Sequence, residues 1–139
     1  MSARGLVHHI DLTVTDKERS RIFYDVVLGF LGYRRSADYE HGSDWDREGE
    51  PFHSIGILEA RGDGAARTHD RYSPGLHHLA WTAESRADVD ALHDLLRSIG
   101  ATILDAPADY PRYGPTYYAV FFADPDGLKL EYVFGATGG

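Results

Sequence analysis

The stretch GLVHHIDLTV (residues 5–14) is answered near the middle of the chain by GLHHLAWTAE (residues 75–84). Placing His8-His9 on His77-His78 sets Ile10 on Leu79, Leu12 on Trp81, Thr13 on Thr82 and Val14 on Ala83. Both copies alternate apolar and polar residues, the pattern of a strand with one face buried. A repeat of this kind implies a duplicated unit in which the paired histidines do the same job.

The residues after each copy support the duplication. Thr15 with Glu18, and Ser85 with Asp88, resemble capping boxes that open helices. Ile22, Phe23, Val26, Val27 and Phe30 in one half, and Leu92, Leu95, Leu96 and Ile99 in the other, have the spacing of amphipathic helices ending near Gly29/Gly32 and Gly100. Strand-like runs come next. TYYAVFF (116–122) and LKLEYVF (128–134) flank the turn Asp124-Pro125-Asp126-Gly127, and HSIGILEA (53–60) closes the first half. The polar segment 40–51 reads as a loop with room for one short strand, and RGDGAARTHDRYSPG (61–75) as a linker. The expectation is one α+β domain over residues 1–139, built from two βαβββ modules at about 5–60 and 76–135. Their curved sheet is mixed, mostly antiparallel, and carries its helices on the outer face.

Alternation then sorts the side chains. Ile10, Leu12 and Val14 form the face that packs on the helix, and His8 shares their parity, leaving His9, Asp11 and Thr13 on the concave side. In the repeat Leu79 and Trp81 mark the helix face, with His77 at its edge, and His78, Ala80 and Thr82 look the other way. In the last strand Leu128, Leu130 and Tyr132 are apolar, so Lys129 and Glu131 share the opposite face. Matching SIGILEARG to LKLEYVFG sets Glu59 over Glu131, but that register also puts Ile57 beside Glu59, and parity leaves Glu59 undecided. His9, His78 and Glu131, with Glu59 as a candidate fourth, form a plausible ligand set for a divalent transition metal.

Composition narrows the function classes. Fourteen basic against twenty-two acidic side chains give a net charge of −8, which disfavours nucleic acid and anionic membranes as partners. A locally positive pocket for a small anion stays compatible with that balance. With no cysteine, disulfides, thiolate nucleophiles and cysteine-held metals are excluded. No signal peptide or bilayer-spanning run is evident, so the expectation is a soluble cytoplasmic protein.

HHIDLTVTDKERSRIFYDVVLGF (8–30), GLHHLAWTAES (75–85) and FFADPDGLKLEYV (121–133) together resemble the vicinal oxygen chelate superfamily, which includes glyoxalase I, fosfomycin- and bleomycin-resistance proteins and extradiol dioxygenases. The resemblance covers essentially the whole chain. It implies paired βαβββ modules around a cup-shaped metal site (the glyoxalase/dioxygenase-like fold) and a homodimer. It also implies His9, His78 and Glu131 as metal ligands, with Glu59 as the only available fourth ligand of a glyoxalase-like site. The implied activity is that of a divalent-metal lyase or isomerase using Zn, Ni, Co, Mn or Fe. A small substrate would chelate the metal through neighbouring oxygens, and an enolate or oxyanion would be stabilised. Glu131 or Glu59 would act as the base. An Fe(II) extradiol-type dioxygenase, which needs only two histidines and one glutamate, is the alternative; a metal-free drug-binding resistance protein is the alternative of another class.

Further residues surround this set. Tyr113, Tyr117 and Tyr118 precede the last hairpin; alternation allows only one of Tyr117 and Tyr118 to face the site, and Tyr118 is the expected catalytic phenol. Lys129 shares the face of Glu131 and is a candidate contact for an anionic substrate. His69, Arg71 and Tyr72 lie in a linker able to fold over the cleft. Phe23, Tyr24 and Trp81 are assigned to packing, and His41, His53 and His93 to the surface. His8 and His77 are expected to bond nearby backbone rather than metal.

Overall fold

β1 (His9–Val14) buries Leu12 and Val14 and exposes His9, Asp11 and Thr13, so the alternation read from the sequence is realised in three dimensions. In a computed structural model that describes residues 2–135, the chain forms two units, one ending at Thr68 and the other beginning at His69.

The first unit runs β1, α1 (Lys17–Phe30), β2 (Tyr33–Asp38), β3 (Gly42–Arg47) and β4 (His53–Glu59). A 3-10 turn, Gly62–Ala66, comes after it. The second runs β5 (His78–Thr82), α2 (Arg86–Ser98), β6 (Thr102–Asp109), β7 (Tyr118–Ala123) and β8 (Lys129–Phe134). Each is a βαβββ module whose four-stranded mixed sheet has the same order, β1-β4-β3-β2 and β5-β8-β7-β6. The first and last strands of each module pair in parallel, and the other pairs are antiparallel. The architecture is therefore α+β, with the duplicated modules the repeat implied.

Two local expectations are corrected. The cap of α1 is Asp16, whose carboxylate accepts from the Arg19 amide at 3.1 Å, one residue later than Thr15. At α2 the expected Ser85 does cap, accepting from the Asp88 amide at 3.0 Å. The buried stripe of α1 is Ser20, Phe23, Tyr24, Val27 and Leu28, and Ile22 is 59% exposed. Segment 40–51, read as a loop with one short strand, holds that strand as β3, which lies between β2 and β4.

β3 is held by its one large apolar side chain. Trp45 is 1% exposed, packs 6.0 Å from the Tyr24 ring and donates from Nε1 to Asp25 Oδ1 at 2.9 Å. Burial of this indole compensates for a strand that is otherwise polar. In the second unit Val89, Leu92 and Leu96 of α2 form a core with Val120, Phe122, Leu128, Leu130 and Tyr132. Among the described residues no helix is long and apolar enough to cross a membrane.

Lys17 supplies a polar anchor inside the first unit. It is 5% exposed, and its ammonium reaches Asp38 at 2.7 Å and Glu18 at 3.1 Å. The hydrogen bond from Lys17, and secondarily one from Ser43, lowers the Asp38 carboxyl to a pKa of about 2. A depressed carboxyl adds stability above its unfolded value and loses it as pH falls through the folded one. Acid titration of stability is thus expected to show a loss between about pH 4 and pH 2 that Asp38→Asn lacks; identical profiles for the two proteins would count against this anchor. Trp45→Ala should destabilise by about 3–5 kcal/mol in denaturant unfolding, the usual cost of removing a buried large aromatic.

Candidate functional site

The parallel pairs fix where the site residues fall. In the second unit His78 sits opposite Lys129 and Ala80 opposite Glu131, so Lys129, Glu131 and His78 rise from one face. His78 Nε2 lies 3.2 Å from Glu131 Oε1. The Glu131 side chain is only 3% exposed, and its other oxygen, Oε2, accepts a short hydrogen bond from the Tyr117 hydroxyl. Burial, then the bond to Glu131, pushes the Tyr117 phenol well above its usual range, so it remains a proton donor.

Tyr117, rather than Tyr118, is therefore the phenol that meets Glu131. The Tyr118 hydroxyl donates to Asp90 Oδ1 of α2 at 2.5 Å, and the Arg86 guanidinium covers its ring at 3.9 Å. The two neighbours point to opposite faces. Tyr117 also belongs to an aromatic group with Tyr113, whose ring is 5.3 Å away, and Tyr110, whose ring is 6.4 Å away. Tyr110 in turn packs edge-on against Phe121, the β7 partner of Glu131.

In the first unit His9 sits opposite Ser54, and Asp11 opposite Gly56. The residue in the register position of Glu131 is therefore Gly56, and not Glu59. A Cβ built on Gly56 would collide with Asp11 Oδ1 and Asp44 Oδ1, which close over the glycine from β1 and β3. Glu59 has the parity of the buried Ile55 and Ile57 and meets the start of α1. Its Oε2 accepts from the Lys17 amide at 3.1 Å, and Oε1 lies 3.1 Å from His41 Nδ1. The Lys17 N–H, and secondarily His41, hold its carboxyl below the usual range. A carboxylate on the first free amides of a helix acts as a cap, favoured also by the helix dipole.

The doubled histidines have a common geometry. His8 Nδ1 and His9 Nδ1 are 3.0 Å apart, and His77 Nδ1 and His78 Nδ1 are 2.8 Å apart. One ring of each pair donates and the other accepts, so the first histidine engages its neighbour's Nδ1, where a backbone bond was expected. The Nε2 atoms stay available. That of His78 faces Glu131, and that of His9 is 3.9 Å from Asp11 Oδ2.

Two of the donors fit a metal ion. Ligand atoms about 2.0–2.1 Å from one ion, at tetrahedral or octahedral angles, lie roughly 2.9–3.4 Å apart. The His78–Glu131 separation of 3.2 Å falls within that range. Among the described residues no group of three or more His, Asp or Glu gathers into a metal-binding set.

Comparison with known proteins gives consistent results. The family model described as Glyoxalase/Bleomycin resistance protein/Dioxygenase superfamily matches residues 6–132. The chain is 35% identical over 127 residues to the uncharacterized protein YqjT of Bacillus subtilis (strain 168), covering 91% of this chain and 97% of that one. It superposes on a crystal structure from Bacillus halodurans with a TM-score of 0.80 and 32% identity, covering 95% of this chain and 97% of the other. A glyoxylase/bleomycin resistance protein/dioxygenase domain from Frankia sp. EAN1pec gives a TM-score of 0.75 at 27% identity, covering 97% of this chain and all of that one.

The placement of Glu59 has a measurable consequence. Glu59→Gln should lower the thermal midpoint, because the α1 amide loses a charged acceptor, and the loss should shrink on acidification as the wild-type carboxylate is protonated. An unchanged midpoint near neutral pH would remove Glu59 from the cap.

Proposed function

The chain belongs to the glyoxalase/bleomycin resistance protein/dioxygenase superfamily, and on that premise we propose that it is a divalent-metal enzyme whose ion is held by His9, His78 and Glu131. The observation that carries the reading is the pairing of His78 Nε2 with the buried Glu131 Oε1 at 3.2 Å. His9 matches His78 in the repeat, has the same engaged Nδ1 and exposes its Nε2, which supports it as the third donor. In a homodimer that exchanges units, His9 of one chain would serve His78 of the other, at one ion per chain either way. Gly56 at the register position of Glu131 argues against a fourth protein ligand, and Glu59 is accordingly left to the helix.

When bound, a divalent ion would act as a Lewis acid toward two neighbouring oxygens of a small substrate, in lyase or isomerase chemistry. The chain's own groups would prepare that event. Tyr117 holds Glu131 Oε2, which leaves Oε1 directed toward His78. His77 fixes the ring orientation of His78 through Nδ1, and His8 does the same for His9. Glu131 is also the candidate for moving a proton: taking one neutralises the carboxylate and weakens its hydrogen bond from Tyr117, and giving the proton back restores both. Among the roles expected from sequence, Tyr118 is thus replaced by Tyr117.

A specific observation favours a second reading. Two histidines and one carboxylate without a fourth ligand match the donor set of non-haem Fe(II) oxygenases, so an extradiol-type dioxygenase stands beside the lyase or isomerase reading. Oxygen uptake with a catechol after anaerobic Fe(II) loading would favour it. Inertness toward oxygen, with retained metal, would favour lyase or isomerase chemistry.

The metal reading itself is tested by elemental analysis and calorimetric titration of Zn, Ni, Co, Mn and Fe(II). One ion per chain is expected. His9→Ala, His78→Ala and Glu131→Gln should each weaken affinity by more than about a hundredfold, beyond the ~10–100-fold typical of outer residues, and Tyr117→Phe by about tenfold. Glu59→Gln should leave it within about twofold. A protein that takes up no ion would overturn the proposal and favour metal-free ligand binding.

A further inference from the structure

In a chain of net charge −8, a lysine shares the strand face of the buried Glu131. Lys129 stands opposite His78 in the parallel pair and two residues before Glu131, with its ammonium 4.5 Å from the Phe121 ring centroid. Among the described residues no carboxylate pairs with it, because both oxygens of Glu131 are engaged by His78 and Tyr117.

A second cation arrives from the segment before β5. The His69 amide donates to the Asp126 carbonyl at 3.0 Å, and His69 Nε2 meets the Leu76 carbonyl oxygen at 2.9 Å, so the segment is tied to the β7–β8 turn. Arg71 lies over the Tyr72 ring at 5.2 Å, and that ring packs edge-on against His77 at 5.3 Å. The Arg71 Nε is buried and has no hydrogen-bond partner, a costly state for a charged donor. The carboxylate next to it, Asp70, is turned to its own loop, accepting from the Tyr72 amide at 3.0 Å and Ser73 Oγ at 2.9 Å.

We propose that Lys129 and Arg71 border the His78–Glu131 face as an oxyanion subsite, so that the molecule bound there carries an anionic group, a carboxylate, phosphonate or phosphate, in addition to its chelating oxygens. The substrate class rests on the metal-enzyme reading; the subsite itself is independent of it. An unpaired ammonium and an unsatisfied guanidinium donor are the groups that recognise such oxygens, arginine by its planar fork and lysine as a point charge.

The test uses the full chain stripped of metal, with acetate, methylphosphonate and inorganic phosphate as probes at constant ionic strength. Binding is followed by calorimetry and by the NMR signals of the His77 and His78 rings. Saturable binding of at least one probe is expected, shifting both rings and ranking the three chemistries. Lys129→Gln and Arg71→Gln should each weaken it about tenfold, and Lys129→Arg and Arg71→Lys should restore most of it. No saturable binding, or binding equal in wild type and both glutamine variants, would overturn the subsite. Metal titrations on the same preparations separate the two proposals: lost metal uptake with retained, Lys129- and Arg71-dependent anion binding would sink the metal reading alone.

Discussion

Glu131 is a carboxylate placed on the central, parallel-paired strand of its sheet with almost no access to water. Removing such a group from solvent costs several kcal/mol unless each lone pair finds a partner. The neighbouring residues supply those partners from separate directions, an imidazole from the edge strand β5 and a phenol from the segment entering β7. Each imposes its own demand. The phenol needs its place behind the aromatic rings of Tyr110 and Tyr113, and the imidazole needs a neighbour on Nδ1 to hold its orientation. Much of the second unit's polar organisation can be traced outward from this one carboxylate.

Much of this was legible in the residues, and its limits have physical causes. The parity of β1, β5 and β8 comes from alternation with large apolar residues on one side, which gave the faces of His9, His78 and Glu131. The choice between Tyr117 and Tyr118 was also available. Pairing outward from the Asp124–Gly127 turn sets Phe121 against Glu131 and Tyr118 against Phe134, which gives Tyr117 the face of Glu131. Glu59 was misaligned because matching it to Glu131 relied on the similar ends of two strands; pairing with β1 and β5 sets the register, and it points to Gly56. Strand β3 was only faintly legible for another reason. GSDWDR carries one large apolar residue, and Trp45 stabilises through depth of burial rather than through a repeated pattern. Arg71 and Tyr72 belong to a linker with no periodicity at all, so only the fold could show that they turn back toward His77.

The repeat kept its backbone and divided its chemistry. Across the second unit the row through the acid reads Ala80, Glu131, Phe121, and across the first it reads Asp11, Gly56, Asp44. In one row a carboxylate occupies the centre and its neighbours are apolar; in the other the carboxylates flank a residue without a side chain. The Asp44 carboxylate is further held by the Tyr39 hydroxyl at 2.7 Å. Because Asp11 and Asp44 already fill the volume above Gly56, a central glutamate there would have to displace both and place three carboxylates together. Repulsion and space thus oppose a symmetric donor set. The histidine pairs are under no such conflict, since a ring that bonds only its sequence neighbour needs nothing from the row beyond it. That difference accounts for a duplication in which the imidazoles were retained in both halves and the acid in one.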